Sequence, residues 1–319
     1  MGGLSPFHFE GGCAVVFQIG TAKFGVRDQE GKLCDKKLRE VSAHENVRML
    51  ELKMAQGAKP GKGGILPGER VTKEIAKICG LEVVQDGISP NRHAEVDNWD
   101  DLLTLICHIR EVTGKPVGIK IVVGVESAVQ DFFDTIVKRG AETAPDFITI
   151  DGSEGGTGAA PMPLIDLVGM SVREALPLVA NIRDKAGLSN RVRLVASGKL
   201  VNPGDIAWAL AAGADFVTSA RGFMFSFGCI QALKCNKNTC PTGITTHDPR
   251  FQKGLVVREK YKRVARYATD IIHEVETIAH SVGVAEPRLL RRRPVRLMQD
   301  NGRSVPMNEI YSSFSAEAK

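Results

Sequence analysis

Short β-branched apolar runs alternate with helical patterns along this chain. That order restricts it to repeated βα units around a parallel sheet, an α/β fold. The expected strands are Val15–Ile19, Met49–Met54, Val117–Val123, Phe147–Ile150, Val192–Ala196 and Phe216–Ser219. The helices expected between them include Thr72–Ile78, Trp99–Val112, Ala128–Arg139, Val172–Ala186 and Pro203–Ala212. Pro203 falls in a first helical turn with Asn202 as its cap, and Gly213 follows the last turn as a C-cap. A long helix over Val257–Ser281 comes next, then a tail with no period. At 319 residues the chain is long enough for one large domain or two small ones.

Glycines cluster just after the strand ends. Gln56-Gly-Ala-Lys59-Pro-Gly-Lys-Gly-Gly64 follows one strand and Asp151-Gly-Ser-Glu-Gly-Gly-Thr-Gly158 another. Ser197-Gly198-Lys199 and Ala220-Arg-Gly222 follow the last two. Active sites of (β/α)8 barrels lie at these carboxyl ends, with phosphate often held after the last strands. Backbone N–H groups there, with a helix N-terminus, cradle a phosphate dianion. No G-x-G-x-x-G opens a helix after the first strand, so the loops offer room for one phosphate and show no dinucleotide fingerprint. The pattern yields six strands where a closed barrel needs eight, so either two strands escape it or the barrel lacks its start.

After the sixth strand, three cysteines fall in one run, Cys229 through Cys235 to Cys240-Pro241, spaced C-x5-C-x4-C-P. Thiolates this close in sequence can converge on one metal–sulfur unit, and three suit a cluster with three iron corners better than one with four. A zinc site is the alternative, although the run supplies no fourth cysteine, only the more distant His247. Thiols adjacent by coincidence are the bland reading.

The remaining Cys13, Cys34, Cys79 and Cys107 are scattered and form no disulfide framework, which points to a reducing, cytoplasmic compartment. The start, Met1-Gly-Gly-Leu-Ser-Pro6, has neither the basic nor the apolar region of a signal peptide, and no apolar run reaches the length of a membrane span. The net charge of +5 sits partly in Arg291-Arg-Arg293-Pro-Val-Arg296, read as a solvated tail. No aromatic residues interleave with a basic stripe, so nucleic acid is not the expected partner.

With these residues in view, the chain resembles the flavin-binding synthase domain of glutamate synthase, in the compact form of FMN-binding glutamate synthase family proteins. The matching strings are Gly2-Gly-Leu-Ser-Pro6, Gln56 through Gly64, Ile88-Ser-Pro-Asn91, Val117-Gly-Ile-Lys120, Gly155-Gly-Thr-Gly-Ala159 and Cys229 through Gly243. The resemblance implies a (β/α)8 TIM barrel over 1–282 that includes the iron–sulfur segment 229–243, with 283–319 as an irregular tail. It implies FMN over the strand ends and a 3Fe–4S cluster held by Cys229, Cys235 and Cys240. The flavin would lie against Gln18, Lys120, Gly155, Gly156, Thr157, Ser197, Gly198, Lys199, Arg221 and Gly222. Lys120 would face the pyrimidine edge, where a cation stabilises the anionic reduced ring. Lys59 would meet the substrate carboxylate. The implied reaction is hydride delivery to the imine of 2-oxoglutarate and ammonia, giving L-glutamate. Electrons would come through the cluster from a donor such as ferredoxin or an NAD(P)H-oxidising subunit.

Three departures accompany the resemblance. The family's strings place two strands and a long segment before Gly2, so the first barrel edge is expected to be missing. That leaves a homo-oligomer or a complementing chain to cover it, or a non-catalytic fragment. The family's glutamate synthases carry an acidic residue, Gln and Arg where this chain has Leu4, Ile65 and Cys79, positions that help hold 2-oxoglutarate. Each lost charged hydrogen bond weakens dicarboxylate binding by ~1.5–3 kcal/mol. Another amino or oxo acid is therefore the alternative substrate. With no glutaminase domain, nitrogen would arrive as ammonia or from a partner.

Overall fold

The structure is a computed structural model that describes residues 3–156, 158 and 160–311. Thr157, one of the expected flavin contacts, lies outside the described residues. Two compact units divide the chain. The first takes Met1–Gln56, Pro60–Val122 and Gln130–Thr149; the second takes Gly57–Lys59, Val123–Val129 and Ile150–Lys319.

In the first unit the order runs β1 (Val15–Ile19), α1 (Asp35–Ser42), β2 (Val47–Lys53), β3 (Ile65–Leu66), α2 (Lys73–Cys79), β4 (Gly87–Ile88), α3 (Trp99–Thr113) and β5 (Val117–Ile121). Most of α4 (Glu126–Arg139) and the first three residues of β6 (Phe147–Asp151) belong here too. β1, β2 and β5 pair in parallel, with Gln18 opposite Glu51 and Lys53 opposite Lys120. The helix α3 shows why the sequence folds as it does locally. Asn98 accepts the Asp101 N–H at 2.9 Å as N-cap, two aspartates sit in the first turn, and Gly114 ends the helix at φ 64°. Leu102, Leu103, Ile106 and Ile109 are fully buried, each contributing about 1.5–3 kcal/mol over the exposed state.

The second unit continues from the end of β6 through α5 (Val172–Lys185), β7 (Arg193–Ser197), α6 (Pro203–Ala212), β8 (Phe216–Thr218), α7 (Ala220–Phe227), α8 (Pro249–Gln252), α9 (Val257–Ser281), β9 (Arg296–Met298), β10 (Ser304–Pro306) and α10 (Met307–Ile310). Asn202 caps α6 by accepting the Asp205 N–H at 2.8 Å, with Pro203 at the first position and Gly213 behind the last turn. The helix is apolar nearly all round and buries Ala207, Trp208, Ala209, Ala211 and Ala212.

The main sheet has six strands in the order β1-β2-β5-β6-β7-β8. Sequential neighbours joined by crossovers are the arrangement of a partial (β/α)8 barrel. All six expected strands are present. The second begins at Val47 rather than Met49, because fully buried Val47 already pairs with Val15 across exposed Arg48.

The C-terminal segment departs from expectation. Rather than an irregular tail, it folds into the antiparallel pair β9–β10 and the short α10. Met307 is fully buried and Leu290 nearly so. Nor is its basic run wholly solvated. The Arg292 guanidinium donates to Asn181 Oδ1 at 2.7 Å, Ala212 O at 2.8 Å and Tyr311 O at 2.8 Å. Burial, set against the charge of Asp184, pulls its pKa down. A single arginine inside a basic run gives no sequence signal that it is the one to be enclosed.

Candidate functional site

In the second unit the glycine loops meet on one carboxylate. Asp151, at the end of β6, is buried and accepts the Gly57 N–H at 2.8 Å and the Ser197 hydroxyl at 2.8 Å. Gly152 donates to Ser197 O at 2.8 Å. The loops approach so closely that a Cβ on Gly57 would overlap the Gly152 carbonyl, and one on Gly156 would meet the Ala58 methyl at 2.5 Å. Gly155 lies against Gly198, whose Cα stands 3.2 Å from the position of a Gly155 Cβ. Gly198 has φ 140° and Lys199 φ 45°, so the chain turns sharply where β7 ends. Lys199 reaches Asp166 at 3.7 Å. Lys59 is half-buried just beyond the buried Gly57 and Ala58.

Glu154 sits inside the same loop. Its Oε1 accepts the Val172 N–H at 2.9 Å, capping α5, where Ser171 makes no side-chain cap. Its Oε2 is enclosed and has no hydrogen-bond partner among the described residues. Burial raises its carboxyl pKa, outweighing the hydrogen bonds that favour charge.

The helix α7 starts at Ala220, and the side chain of Ser219 does not cap it. Its first N–H groups are therefore open to an anion. Arg221 donates to Gly156 O at 3.0 Å, tying this helix to the glycine loop. The glycine at 222 has a different cause: Tyr267, which donates to Val201 O at 2.7 Å, fills the space of a Cβ.

Beyond α7 the cysteine run lies in turns. Cys229, Cys235 and Cys240 are half-buried. Gln231, Leu233 and Asn238 all have positive φ, of 54°, 53° and 55°. Cys235 Sγ lies 2.9 Å from where a Gly158 Cβ would stand, so the run touches the glycine loop. Cys240 Sγ is 3.4 Å from Thr242 Oγ1. Burial works against the Cys240 thiolate, but hydrogen bonds from Thr242 and Thr245 outweigh it and lower its pKa to about 6. Soft, ionisable thiolates are the donors an iron–sulfur or zinc centre takes. Among the described residues, no three His, Cys, Asp or Glu side chains stand gathered as a metal-holding group.

In the first unit a second polar group lies at the strand ends. Gln18 on β1 donates to Glu51 Oε2, and Thr149 donates to Glu51 Oε1 at 2.5 Å. Glu51 is buried on β2. Lys53 donates to Gln56 Oε1 at 2.9 Å, and Lys120 stands opposite Lys53 on β5. Lys23 is buried at φ 51° and pairs with Glu95 at 2.8 Å. His93 is fully buried; its Nε2 lies 3.1 Å from Lys53 O, while its Nδ1 has no partner among the described residues. Burial lowers its pKa, so it stays neutral.

The structure thus brings Gly155, Gly156, Ser197, Gly198, Lys199 and Arg221 together in the second unit and sets Gln18 and Lys120 on strands of the first. Glu51 and Asp151 organise these groups, and sequence reasoning missed both. The available signal was an acidic residue inside or closing an otherwise apolar strand run, Met49-Leu-Glu-Leu52 and Phe147-Ile-Thr-Ile-Asp151. A charge there is buried and therefore needs partners.

The conserved region of glutamate synthase matches residues 1–285. The chain is 41% identical over 313 residues to the glutamate synthase large subunit-like protein YerD of Bacillus subtilis (strain 168), covering 98% of this chain and 59% of that protein. It is 33% identical over 297 residues to the archaeal glutamate synthase (NADPH) of Methanocaldococcus jannaschii, covering 92% of this chain and 54% of the other. A flavocytochrome b2 structure with sulfite bound superposes with a TM-score of 0.49 at 15% identity, covering 87% of this chain and 53% of that one. The chain spans about half the length of the curated relatives it matches.

Proposed function

As a member of the glutamate synthase family, we propose, this chain is the FMN-bearing part of an oxidoreductase that reduces the imine of a 2-oxo acid and ammonia to an amino acid. The observation that carries the reading is the glycine cradle on Asp151, closed by Arg221 at the uncapped start of α7. The Gly57, Gly152 and Gly155 N–H groups are spent within the cradle, so it is Arg221 and the uncapped start of α7 that support a phosphomonoester such as that of FMN. Arg221 and the first N–H groups of α7 would hold the phosphate, with Gly155, Gly156, Ser197, Gly198 and Lys199 lining it and Gly222 beside them; Thr157 is proposed by motif match alone. Gln18 and Lys120 are proposed for the flavin ring by motif match. The buried Glu51 fixes which way the Gln18 amide faces. Bound FMN, once reduced, would supply the hydride. With 2-oxoglutarate as substrate, Lys59 would orient a carboxylate.

Cys229, Cys235 and Cys240 are proposed to hold a 3Fe–4S cluster that receives electrons from a partner, ferredoxin or an NAD(P)H-oxidising subunit. The donor chemistry supports it, above all the acidic Cys240 thiol. No helix among the described residues is long and apolar enough to cross a membrane. A cytoplasmic setting suits free thiols.

The reading is tested by adding FMN, FAD and riboflavin to purified protein and following flavin fluorescence. FMN alone should bind tightly at one per chain, and Arg221→Ala should weaken it while leaving riboflavin unaffected. Preference for FAD, or no flavin binding, would overturn it. Iron and acid-labile sulfide should be present in anaerobically purified protein; stoichiometric zinc without sulfide would end the cluster assignment. A second reading, reduction of another oxo acid rather than 2-oxoglutarate, is favoured by two positions. Ile65 is 64% exposed on β3, and Cys79 is buried in α2 with burial raising its thiol pKa, so neither supplies charge.

A further inference from the structure

A cavity of about 170 Å³ lies within the first unit, roughly six waters' worth of space at about 30 Å³ each. Lys23, Gln18 and Ser89 supply its polar lining. Phe24, Ile65 and Leu66 supply its apolar wall, the last two from the β3–β4 pair. The one cation among these residues is already matched, because Lys23 pairs with Glu95 at 2.8 Å and its side chain is only 5% exposed. Burial works against the Glu95 charge, but the hydrogen bond from Lys23 prevails and holds its carboxyl below the usual range. The pair is therefore ionic and close to neutral as a unit.

Such a lining accepts one anionic head and rejects two. An ammonium has three donors, and Glu95 takes one. A single carboxylate can use another, beside the Ser89 hydroxyl and the Gln18 amide. A second carboxylate at the far end of the same ligand would lie on Phe24, Ile65 and Leu66, where no charged side chain of the lining remains to pair with it. An alkyl tail there removes apolar surface from water instead.

We propose that this cavity binds a monocarboxylic 2-oxo acid with a short apolar side chain, its head at Lys23, Ser89 and Gln18 and its tail on Phe24, Ile65 and Leu66, in preference to a dicarboxylic one. That the head is a 2-oxo acid rests on the oxidoreductase reading above. The preference for one charge and an alkyl tail rests on the lining alone.

Isothermal titration calorimetry on the full chain, with and without FMN, tests the proposal using 2-oxo-4-methylpentanoate and 2-oxoglutarate. The alkyl acid should bind at least about tenfold more tightly, a specificity built partly by what the wall cannot pair. Ile65→Arg, at an exposed position, should reverse the order by giving the distal carboxylate a partner. Equal or tighter binding of 2-oxoglutarate to the unaltered chain, no binding of either acid, or no change with Ile65→Arg overturns the proposal. Flavin fluorescence in the same samples separates the two claims. Protein that takes FMN and prefers the dicarboxylate keeps the function and loses this inference. Protein that takes no FMN loses the function, while calorimetry without flavin still reports on the cavity.

Discussion

Two neighbouring stretches of the second unit are built in opposite ways. The glycine cradle is braced by its own chain: Asp151 holds Gly57 and Ser197, Glu154 holds the start of α5, and backbones pack where no Cβ fits. The cysteine run is braced from just beyond its end, by buried Thr246, whose hydroxyl donates to Asn238 O and accepts the Asp248 N–H. Its turns use left-handed backbone at Gln231, Leu233 and Asn238, which side chains disfavour, and Ile230 and Leu233 are 67% and 50% exposed. Asn238 is its main internal brace, bonding to Thr246 and His247. A phosphate site can be preorganised by N–H groups that already belong to the backbone. The cluster proposed there would be completed by the bonds its metal supplies, so its binding would be coupled to folding.

The sharpest way to break this contrast is Gly57→Ala. Its methyl would overlap the Gly152 carbonyl, a backbone atom that cannot turn away. Overpacking of this kind destabilises by about 3 kcal/mol or more, read as a large fall in Tm. Gly124→Ala, with nothing within 4 Å and no positive φ, should leave Tm unchanged. Asp151→Asn is expected to be next. An amide turns a donor toward either the Gly57 N–H or the Ser197 hydroxyl, which should cost about 1.5–3 kcal/mol for the charged hydrogen bond lost. Urea denaturation should show the loss, and FMN affinity should fall with it.

On the other side of the comparison, Cys235→Ser and Cys240→Ser should change the unfolding free energy of metal-free protein, read from urea denaturation, by less than about 1 kcal/mol. Both should abolish iron and sulfide uptake. A cysteine variant that unfolds the metal-free chain as thoroughly as Gly57→Ala would erase the distinction. The smallest effect is expected at Glu154. Its folded pKa is raised, so the native state holds a proton that the unfolded state releases. Its contribution is fully present below the unfolded carboxylate value and is lost as pH rises through the folded one. Glu154→Gln should flatten that part of the Tm-versus-pH curve and raise Tm at neutral pH by less than Asp151→Asn lowers it.

Much of the fold was legible because strand, helix and cap signals are local. Val15–Ile19 and Phe216 onward alternate or run apolar, and Asn202-Pro203 with Gly213 brackets α6 by chemistry that acts within a few residues. The β3–β4 pair was illegible because two residues per strand cannot display a period. The glycine loops were legible as loops, yet their reasons were not. Gly222 is required by Tyr267, 45 positions away in sequence, and Gly57 by a strand end even further off. Glu51 and Asp151 hid inside apolar runs whose hydrophobicity outweighs one acid. Arg292 hid among identical neighbours, since only tertiary packing selects which arginine is enclosed.

That enclosed arginine has a temporal meaning as well. Its guanidinium joins Ala212, 80 residues earlier, to Asn181, 111 residues earlier. On a ribosome, α5 and α6 would emerge long before their clamp, and those carbonyl and amide oxygens would wait in water. Contacts that close such long loops tend to form late, so they slow the escape from the native state more than they speed arrival. Arg292 would then act as a latch on lifetime: Arg292→Met should accelerate unfolding while leaving the refolding rate nearly untouched.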